Sequence, residues 1–383
     1  MTLPSAAPER SPLAGRPAAC QNPIRLMIVD DSPIARSVLS RMLSAHKDLE
    51  VVALAGTADE ALETLGNIRV DIVLLDVEMP GTSGLEALPE ILRRGGGARV
   101  IIVSSLCEDG AEATIRALSL GAADTLPKPG TGNFGGKFSE ILAERLRRIG
   151  RAHRVGENMI PAAPHPSLTQ APFAEPEAAP ITLREMPDGR LGCLALGAST
   201  GGLHAVSDFL RALPQRIGVP ILITQHLPAI FMPFFARQVE AASGRLTLVA
   251  EDGLMLKAEQ IVVAPGDAHL GLRRDGGHVV VALGHAPASS GCMPSVDPML
   301  WSVGEIYGRS GIAVVFSGMD RDGLVGSARL VDSGGAVLVQ DQRSSAVWGM
   351  PRAVAEAGLA CAVLKPADLA RKIADRATGA AWK

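Results

Sequence analysis

The sequence predicts an α/β protein with two parallel-sheet domains, a five-stranded one first and a doubly wound, mostly parallel one second. Short apolar runs alternate with amphipathic stretches in both halves of the chain, which is the pattern of repeated β–α–β units. The length of 383 residues suits about two domains. Hydrophobic residues make up 47% of the chain but aromatic residues only 3%, so aliphatic side chains must fill strands that are buried on both faces.

The first domain is predicted over residues 23–149, after a disordered tail at residues 1–22. Its five predicted strands are Ile24–Val29, Val51–Ala55, Ile72–Leu75, Val100–Val103 and Asp124–Leu126. The clearest helices between them are Ile34–Ala45, Gly84–Arg94 and Ala111–Leu120. Parallel strands joined by helices place their carboxyl ends along one edge of the sheet, and ligands bind at that edge.

The second domain is predicted over residues 190–380, after a Pro- and Ala-rich linker at residues 150–189. Its predicted strands are Leu191–Leu196, Pro220–Thr224, Gln260–Val263, Ile312–Phe316 and Ala336–Val339. Its predicted helices are Gly202–Leu213, Phe231–Ala242 and Gly323–Asp332. The polar residues that follow these strands are therefore the candidates for a second site.

Three carboxylates follow strands of the first domain: Asp30 and Asp31 after the first strand and Asp76 after the third. Ser104 follows the fourth strand, and Lys128 lies beside the fifth. Converging carboxylates repel one another unless a cation lies between them, and oxygen ligands suit Mg²⁺. Each aspartate alone would more often be an N-cap or loop residue. Their joint placement favours a magnesium site at which a carboxylate attacks a phosphoryl group.

These residues stand in segments that resemble a two-component response-regulator receiver domain, over about residues 22–147. The matching segments are IVDDSPIAR, DIVLLDVEMPGTSGLEAL, VIIVSS and GAADTLPKP. The resemblance implies a flavodoxin-like fold with Asp76 as phosphoacceptor, and a Mg²⁺ site formed by Asp30, Asp31 and Asp76. It also implies Ser104 as the switch hydroxyl and Lys128 as the phosphate contact. A histidine kinase would then be the phosphodonor.

The second domain carries a serine, a histidine and an acid at three strand ends. Ser199 lies in a Gly-x-Ser-x-Gly turn between a strand and a helix, and His226 follows the next strand. The acid is Asp320 or Asp322, and the residues alone do not decide between them. Ser199 could equally cap a helix or belong to a phosphate-binding loop, and His269 is a lesser candidate for the base. Together the three strand ends favour nucleophilic acyl transfer.

A second resemblance covers about residues 190–378 and is to the catalytic domain of chemotaxis protein-glutamate methylesterases. The matching segments are LGASTGG, ILITQHLPAIF, APGDAHL, PSVDPML, FSGMDRDG and WGMPRAV. The resemblance implies Ser199 as nucleophile, His226 as base and Asp322 as acid. Backbone near Thr200 and Met319 would hold the oxyanion. Asp320 departs from the family pattern, which more often has glycine at that position.

The implied function is that of a phosphorylation-activated serine hydrolase. It would demethylate glutamate methyl esters, and deamidate glutamines, on methyl-accepting chemoreceptors in chemotaxis or a related chemosensory pathway. The receiver would shield the substrate groove while its phosphoacceptor is unmodified. Ester hydrolysis would need no cofactor, whereas phosphorylation would need Mg²⁺. The expected location is the cytoplasm, at receptor arrays.

Composition argues against other classes of protein. The net charge is −3 and the second domain has no basic stripe, so a nucleic-acid partner is not expected. The five cysteines are scattered and form no CxxC pair, which argues against disulfides or a zinc site. Residues 1–22 lack the apolar stretch of a secretory signal, and no run is long enough to insert into a membrane.

Two other interpretations remain at the level of sequence. The receiver could gate a catalytically inactive output domain, or Gly197–Gly202 could bind a nucleotide. The second ranks last because the full G-x-G-x-x-G pattern is missing. Pro294–Asp297 either lines the substrate groove or caps a helix, and the residues favour neither. Met319 and Trp348 are more often packing residues than chemical groups.

Overall fold

A computed structural model of the chain describes residues 22–104, 108–128, 136–157 and 181–377. The predicted tail up to residue 21 and most of the predicted linker lie outside the described residues. So does the side chain of Ser104, although its backbone ends a strand. Within the part of the chain that is described, no helix combines the length and apolar character needed to cross a bilayer.

The first domain is a five-stranded sheet with the strand order β2-β1-β3-β4-β5, in which all neighbours are parallel. The strands are β1 (Ile24–Val29), β2 (Leu49–Ala55), β3 (Ile72–Asp76), β4 (Arg99–Ser104) and β5 (Asp124–Pro127). The helices are α1 (Pro33–Ser44), α2 (Ala58–Asn67), α3 (Gly84–Arg94), α4 (Glu108–Ser119) and α5 (Gly136–Glu157). The predicted five-stranded parallel fold is confirmed, and α5 extends beyond the boundary predicted at residue 149.

Local sequence signals fix the helix starts next to the acidic strand ends. Ser32 caps α1 through Ala35 N–H, and Pro33 occupies the first turn, where its missing N–H costs nothing. Ser83 and Glu86 form a reciprocal capping box at the start of α3. A Cβ on Gly84 would lie 1.9 Å from the carbonyl oxygen of Asp76, so only glycine allows α3 to begin this close to the end of β3.

The second domain is a seven-stranded sheet in the order β14-β13-β12-β6-β7-β9-β8, with parallel neighbours throughout. Its strands are β6 (Cys193–Ala198), β7 (Ile221–Gln225), β8 (Thr247–Val249), β9 (Ile261–Val263), β12 (Gly311–Val315), β13 (Ala336–Gln340) and β14 (Ala360–Leu364). An antiparallel hairpin joins β10 (His269–Asp275) and β11 (His278–Gly284). The helices are α6 (Gly202–Ala212), α7 (Met232–Ser243), α8 (Val296–Tyr307), α9 (Leu324–Asp332), α10 (Met350–Glu356) and α11 (Pro366–Ala377).

Alternate residues of β6 pack into two different hydrophobic clusters. Leu194 and Leu196 join the cluster that includes Phe209 of α6, whereas Cys193 and Ala195 join the cluster on the other face. The sheet is therefore covered on both faces, which explains why its strands read as continuous apolar runs. Strand order also reverses at β6, which lies between β12 and β7. In open α/β sheets such a reversal creates a crevice at the carboxyl ends of the strands.

Candidate active site

Ser199 lies in the turn that leads from β6 into α6. Gly201, the N-cap of α6, has φ 72°, a conformation that glycine adopts without strain. The Ser199 N–H donates to Ser317 O at 3.0 Å, and Gln225 Nε2 donates to Ser199 O at 2.9 Å. Bonds to the loop after β12 and to the last residue of β7 thus fix the serine backbone from both sides.

The side chains after the three central strands form one hydrogen-bonded chain. His226 Nδ1 lies 3.1 Å from Ser199 Oγ, and His226 Nε2 lies 2.7 Å from Asp322 Oδ2. A neutral imidazole with its proton on Nε2 satisfies both contacts, because it accepts from the serine hydroxyl and donates to the carboxylate. Sequence reasoning left Asp320 and Asp322 open; the structure brings Asp322 to the imidazole.

Asp322 is held at the start of α8. Its carboxylate accepts hydrogen bonds from Ser295 Oγ at 2.6 Å and from Val296 N–H at 2.7 Å. Burial would raise the pKa of Asp322, but hydrogen bonds and charge from His226, together with the bonds to α8, lower it to about 2. Ser295 is the N-cap of α8, so this stretch caps a helix and positions the carboxylate at the same time.

The surroundings of His226 favour its charged form. Burial opposes a positive charge, but the hydrogen bond to Asp322 and the neighbouring Cys292 outweigh it and raise the pKa of His226 to about 9. His269 does not reach the serine, since its Nδ1 accepts from Ser295 N–H at 3.0 Å and its Nε2 bonds Ala286 O. His269 therefore supports the loop behind the acid.

The turn after β12 comes close to the serine. A Cβ on Gly318 would lie 2.8 Å from Ser199 Cβ, so the backbone of Gly318 passes directly beside the hydroxyl-bearing carbon. Met319 is half-buried and lines the cavity in front of Ser199, and Thr200 is buried at the start of the next turn. Both predicted oxyanion residues thus line the same cavity as Ser199.

The serine and imidazole face a cavity of about 1180 Å³ that both domains line. Across it, Thr200 Oγ1 donates to Asp124 Oδ2 at 3.2 Å, and Gly201 N–H donates to Ala123 O at 2.7 Å. Asp320, with φ 62°, pairs with Arg148 of α5. The start of β5 and helix α5 of the first domain therefore form one wall of the cavity that holds Ser199.

The acidic pocket of the first domain lies at the ends of β1 and β3. Oxygen atoms of Asp30, Asp31 and Asp76 lie within 4.8 Å of one another. Lys128 Nζ lies 2.6 Å from Asp76 Oδ2 and 3.3 Å from Asp30 Oδ2. Burial raises the pKa of Asp76, and the lysine partly offsets this. Three hard oxygen donors with one exposed member suit Mg²⁺, which keeps several water ligands.

The sequence pattern does not single out Cys292, and it leaves Ser295, within Pro294–Asp297, as either a groove residue or a helix cap. Cys292 lines the cavity beside His226, and Ser295 bonds the acid. Both come from the loop before α8 rather than from a strand end, so the search of strand ends did not reach them. The only signal was the helix-start pattern Pro-Ser-Val-Asp, in which serine is a favoured N-cap.

Comparisons with known proteins identify the families of the two domains. The CheB methylesterase family model matches residues 194–373, and the response regulator receiver domain model matches residues 26–133. A protein-glutamate methylesterase/protein-glutamine glutaminase of Paramagnetospirillum magneticum is 37% identical over 92% of this chain and 96% of its own length. The protein of that name from Azospirillum brasilense is 37% identical over 95% and 96%.

Two solved structures from Thermotoga maritima match one domain each. The CheB methylesterase catalytic domain is 33% identical and covers 48% of this chain and 98% of its own, with a TM-score of 0.47. The response regulator domain of CheB is 37% identical and covers 34% of this chain and 98% of its own, with a TM-score of 0.32. With relatives that match over nearly their whole length, the chain belongs to the CheB methylesterase family, in the form that carries a response regulator receiver domain.

Proposed function

We propose that this protein is a protein-glutamate methylesterase, with protein-glutamine glutaminase activity, whose nucleophile is Ser199. The observation that carries the proposal is the hydrogen-bonded chain from Ser199 through His226 to Asp322, with separations of 3.1 and 2.7 Å. Ser199 and His226 face a cavity that is large enough to admit a side chain of a partner protein. The names of the relatives supply the substrate class.

In the first half-reaction Ser199 Oγ attacks the ester carbonyl while His226 Nδ1 takes the hydroxyl proton. Asp322 accepts the Nε2–H bond throughout and stabilises the imidazolium that forms. Backbone N–H groups at Thr200 and Met319 would hold the oxyanion, since both residues line the cavity with Ser199 and Gly318, next to Met319, lies against the serine. Methanol then leaves with the proton that the imidazolium returns.

In the second half-reaction water attacks the acyl-enzyme while His226 again takes a proton. Ser199 is released and the substrate becomes a free glutamate. The same acyl intermediate forms when a glutamine amide is the substrate, with ammonia as the leaving group. Both reactions thus use one set of residues, and the substrates would be glutamate methyl esters and glutamines of chemoreceptors in the cytoplasm.

The receiver would control access to Ser199. Asp124 and Arg148 belong to the receiver but contact Thr200 and Asp320 at the cavity rim. Phosphorylation of Asp76 by a histidine kinase adds about −1.5 to −2 charges and three acceptor oxygens beside Lys128. We expect this change to weaken the contacts at the rim and open the cavity to a receptor helix.

Asp30, Asp31 and Asp76 would hold the Mg²⁺ that phosphorylation requires. When bound, the cation would neutralise their charge and that of the incoming phosphoryl group. Lys128 already lies within 2.6 Å of Asp76 Oδ2 and would remain as a second positive charge. Ser104 is the proposed hydroxyl contact of the phosphoryl group.

The test is methanol release from membranes that contain methylated chemoreceptors. Ser199→Ala should lower the rate by about 10⁴-fold or more, since it removes the nucleophile. Ser207→Ala is the control: Ser207 is buried in α6, away from the cavity lining, so this variant should release methanol at close to the wild-type rate. Full activity in the Ser199 variant would contradict the proposal.

A further inference from the structure

We propose that His226, Cys292 and Asp322 form a binding site for a thiophilic divalent cation such as Zn²⁺, and that the bound ion inhibits the enzyme. One nitrogen of His226, Cys292 Sγ and one carboxylate oxygen of Asp322 lie within 4.8 Å of one another. These are three of the ligand types that Zn²⁺ takes in proteins. The inhibition, but not the binding, rests on the proposed function.

The geometry requires little movement. Zinc bonds to nitrogen, oxygen and sulfur of about 2.0–2.3 Å place tetrahedral ligands roughly 3.3–3.8 Å apart. The ligand atoms are thus at most about 1.5 Å too far apart in the metal-free site. Cys292 lies in the loop between β11 and α8. A small shift of this loop, or a rotation of the thiol, can therefore bring the three ligand atoms to the distances that a zinc ion requires.

An ion can reach the site, and a fourth ligand position remains open. Cys292 and His226 both line the cavity, and each is half-buried. Asp322 closes the opposite side and is buried. Three protein ligands with water or an incoming group in the fourth position is an ordinary zinc arrangement. The thiolate makes the site selective, because Mg²⁺ and Ca²⁺ prefer oxygen ligands alone.

Metal binding would disable the base whichever nitrogen is used. If Nδ1 binds the ion, its lone pair is no longer available to Ser199. If Nε2 binds the ion, the proton of the neutral imidazole must sit on Nδ1, which faces Ser199 Oγ at 3.1 Å and then cannot accept its proton. Ligation also takes the Asp322 carboxylate away from its hydrogen bond with the ring. The ion would therefore suppress acylation without blocking the receiver.

Direct binding is tested with Cd²⁺, whose thiolate complexes absorb in the ultraviolet. The titration uses full-length protein with Cys20 and Cys107 replaced by serine, a phosphine reductant, and excess Mg²⁺ to occupy the receiver site. We expect one equivalent of Cd²⁺ to produce the thiolate band and Zn²⁺ to displace it. Cys292→Ser should abolish the band, and His226→Gln should weaken Cd²⁺ binding by about tenfold or more.

The matched control is Met293→Leu, which removes the sulfur next to Cys292 in the same loop and lines the same cavity. It should keep the Cd²⁺ band. A band that persists in Cys292→Ser, or no band in the protein with an intact Cys292, would overturn the site. Circular dichroism melts of each variant establish that the fold is retained.

Inhibition is tested by titrating Zn²⁺ into the methanol-release assay. We expect Zn²⁺ to suppress the rate, a chelator to restore it, and Cys292→Ser to raise the inhibitory concentration about tenfold or more relative to its own metal-free rate. Met293→Leu should keep the wild-type inhibitory concentration. Equal inhibition of the Cys292 variant would overturn the proposal. If no variant releases methanol, the proposed function fails, while the Cd²⁺ titration still decides the metal site.

Discussion

The acidic pocket of the receiver and the Ser199 site of the esterase domain both lie at the carboxyl ends of parallel strands. They differ in their charges. In the receiver, Asp30, Asp31 and Asp76 gather like charges, and Lys128 pairs with Asp76 and Asp30. In the esterase domain, donors and acceptors alternate from Ser199 to His226 to Asp322. The acidic pocket needs a bound cation before Asp76 can react with a phosphoryl group. The esterase site holds a nucleophile, a base and an acid in its own side chains.

The difference explains how one site can govern the other. The acidic pocket changes charge when it is modified, and the esterase site keeps its charges but depends on access. The contacts that join them lie between β5 or α5 and the turns after β6 and β12. We therefore expect substitutions of Ser199, His226 or Asp322 to change the chemical step. Substitutions in the acidic pocket should change only the response to phosphorylation.

The largest expected effect on methanol release distinguishes the roles of Asp320 and Asp322 in the loop after β12. Asp322→Asn should lower methanol release by about 10⁴-fold, since an amide cannot stabilise the imidazolium and favours the wrong tautomer of His226. Asp320→Asn is the matched control, because Asp320 pairs with Arg148 and not with the imidazole. Comparable losses in the two variants would contradict the assignment of the acid.

The second effect is the pH dependence of the esterase step. His226 acts as a base only when neutral, and its pKa is raised to about 9. Below that value the rate should therefore rise with pH by about tenfold per unit, whereas Asp322, with its pKa lowered to about 2, stays ionised. The measurement is kcat/KM for methanol release from pH 6 to 9. A rate that is level across this range would show that the imidazole is already neutral.

The third effect concerns the acidic pocket alone. Asp76→Asn should remove all stimulation of methanol release by a small phosphodonor, because the phosphoacceptor is lost. Its basal rate should remain near that of the unphosphorylated wild type, since Asp76 does not line the cavity in front of Ser199. Stimulation that survives in this variant would place the modification elsewhere.

The smallest effect is at the rim where the two domains meet. Asp320→Gly removes the ion pair with Arg148 and suits the positive φ of this position. Because both side chains are partly exposed, the pair stabilises the closed arrangement only modestly, and the basal rate should rise about 1.5- to 5-fold. Arg148→Ala should give a similar rise. A decrease in both variants would argue that the pair supports catalysis instead.

Much of the fold could be predicted because both sheets are buried on both faces. Their central strands are continuous apolar runs and were found within a few residues of their ends. The β10–β11 hairpin and the three-residue strand β8 were missed, since short or exposed strands carry little apolar pattern. Helix α2 was missed as well, although Thr57 caps it.

The candidate site was predictable in its strand-end residues and not in its loop residues. Ser199 and His226 follow neighbouring parallel strands, so their proximity follows from the register of Ala198 with Gln225. The choice of Asp322 depends on a turn in which Asp320 takes φ 62°, and no apolar pattern records such a turn. Cys292 and Ser295 lie in the loop between β11 and α8. The path of this loop to the site depends on tertiary contacts that no local sequence pattern indicates.

Covalent labelling of the full-length protein with a fluorophosphonate, mapped to a residue by mass spectrometry, tests most directly whether Ser199 is a nucleophile under the control of the receiver. We expect a single adduct on Ser199 that forms faster after treatment with a phosphodonor and is nearly absent in Asp322→Asn. Labelling of another serine, or no labelling of a folded and phosphorylated protein, would contradict a Ser199 hydrolase that is controlled by its receiver.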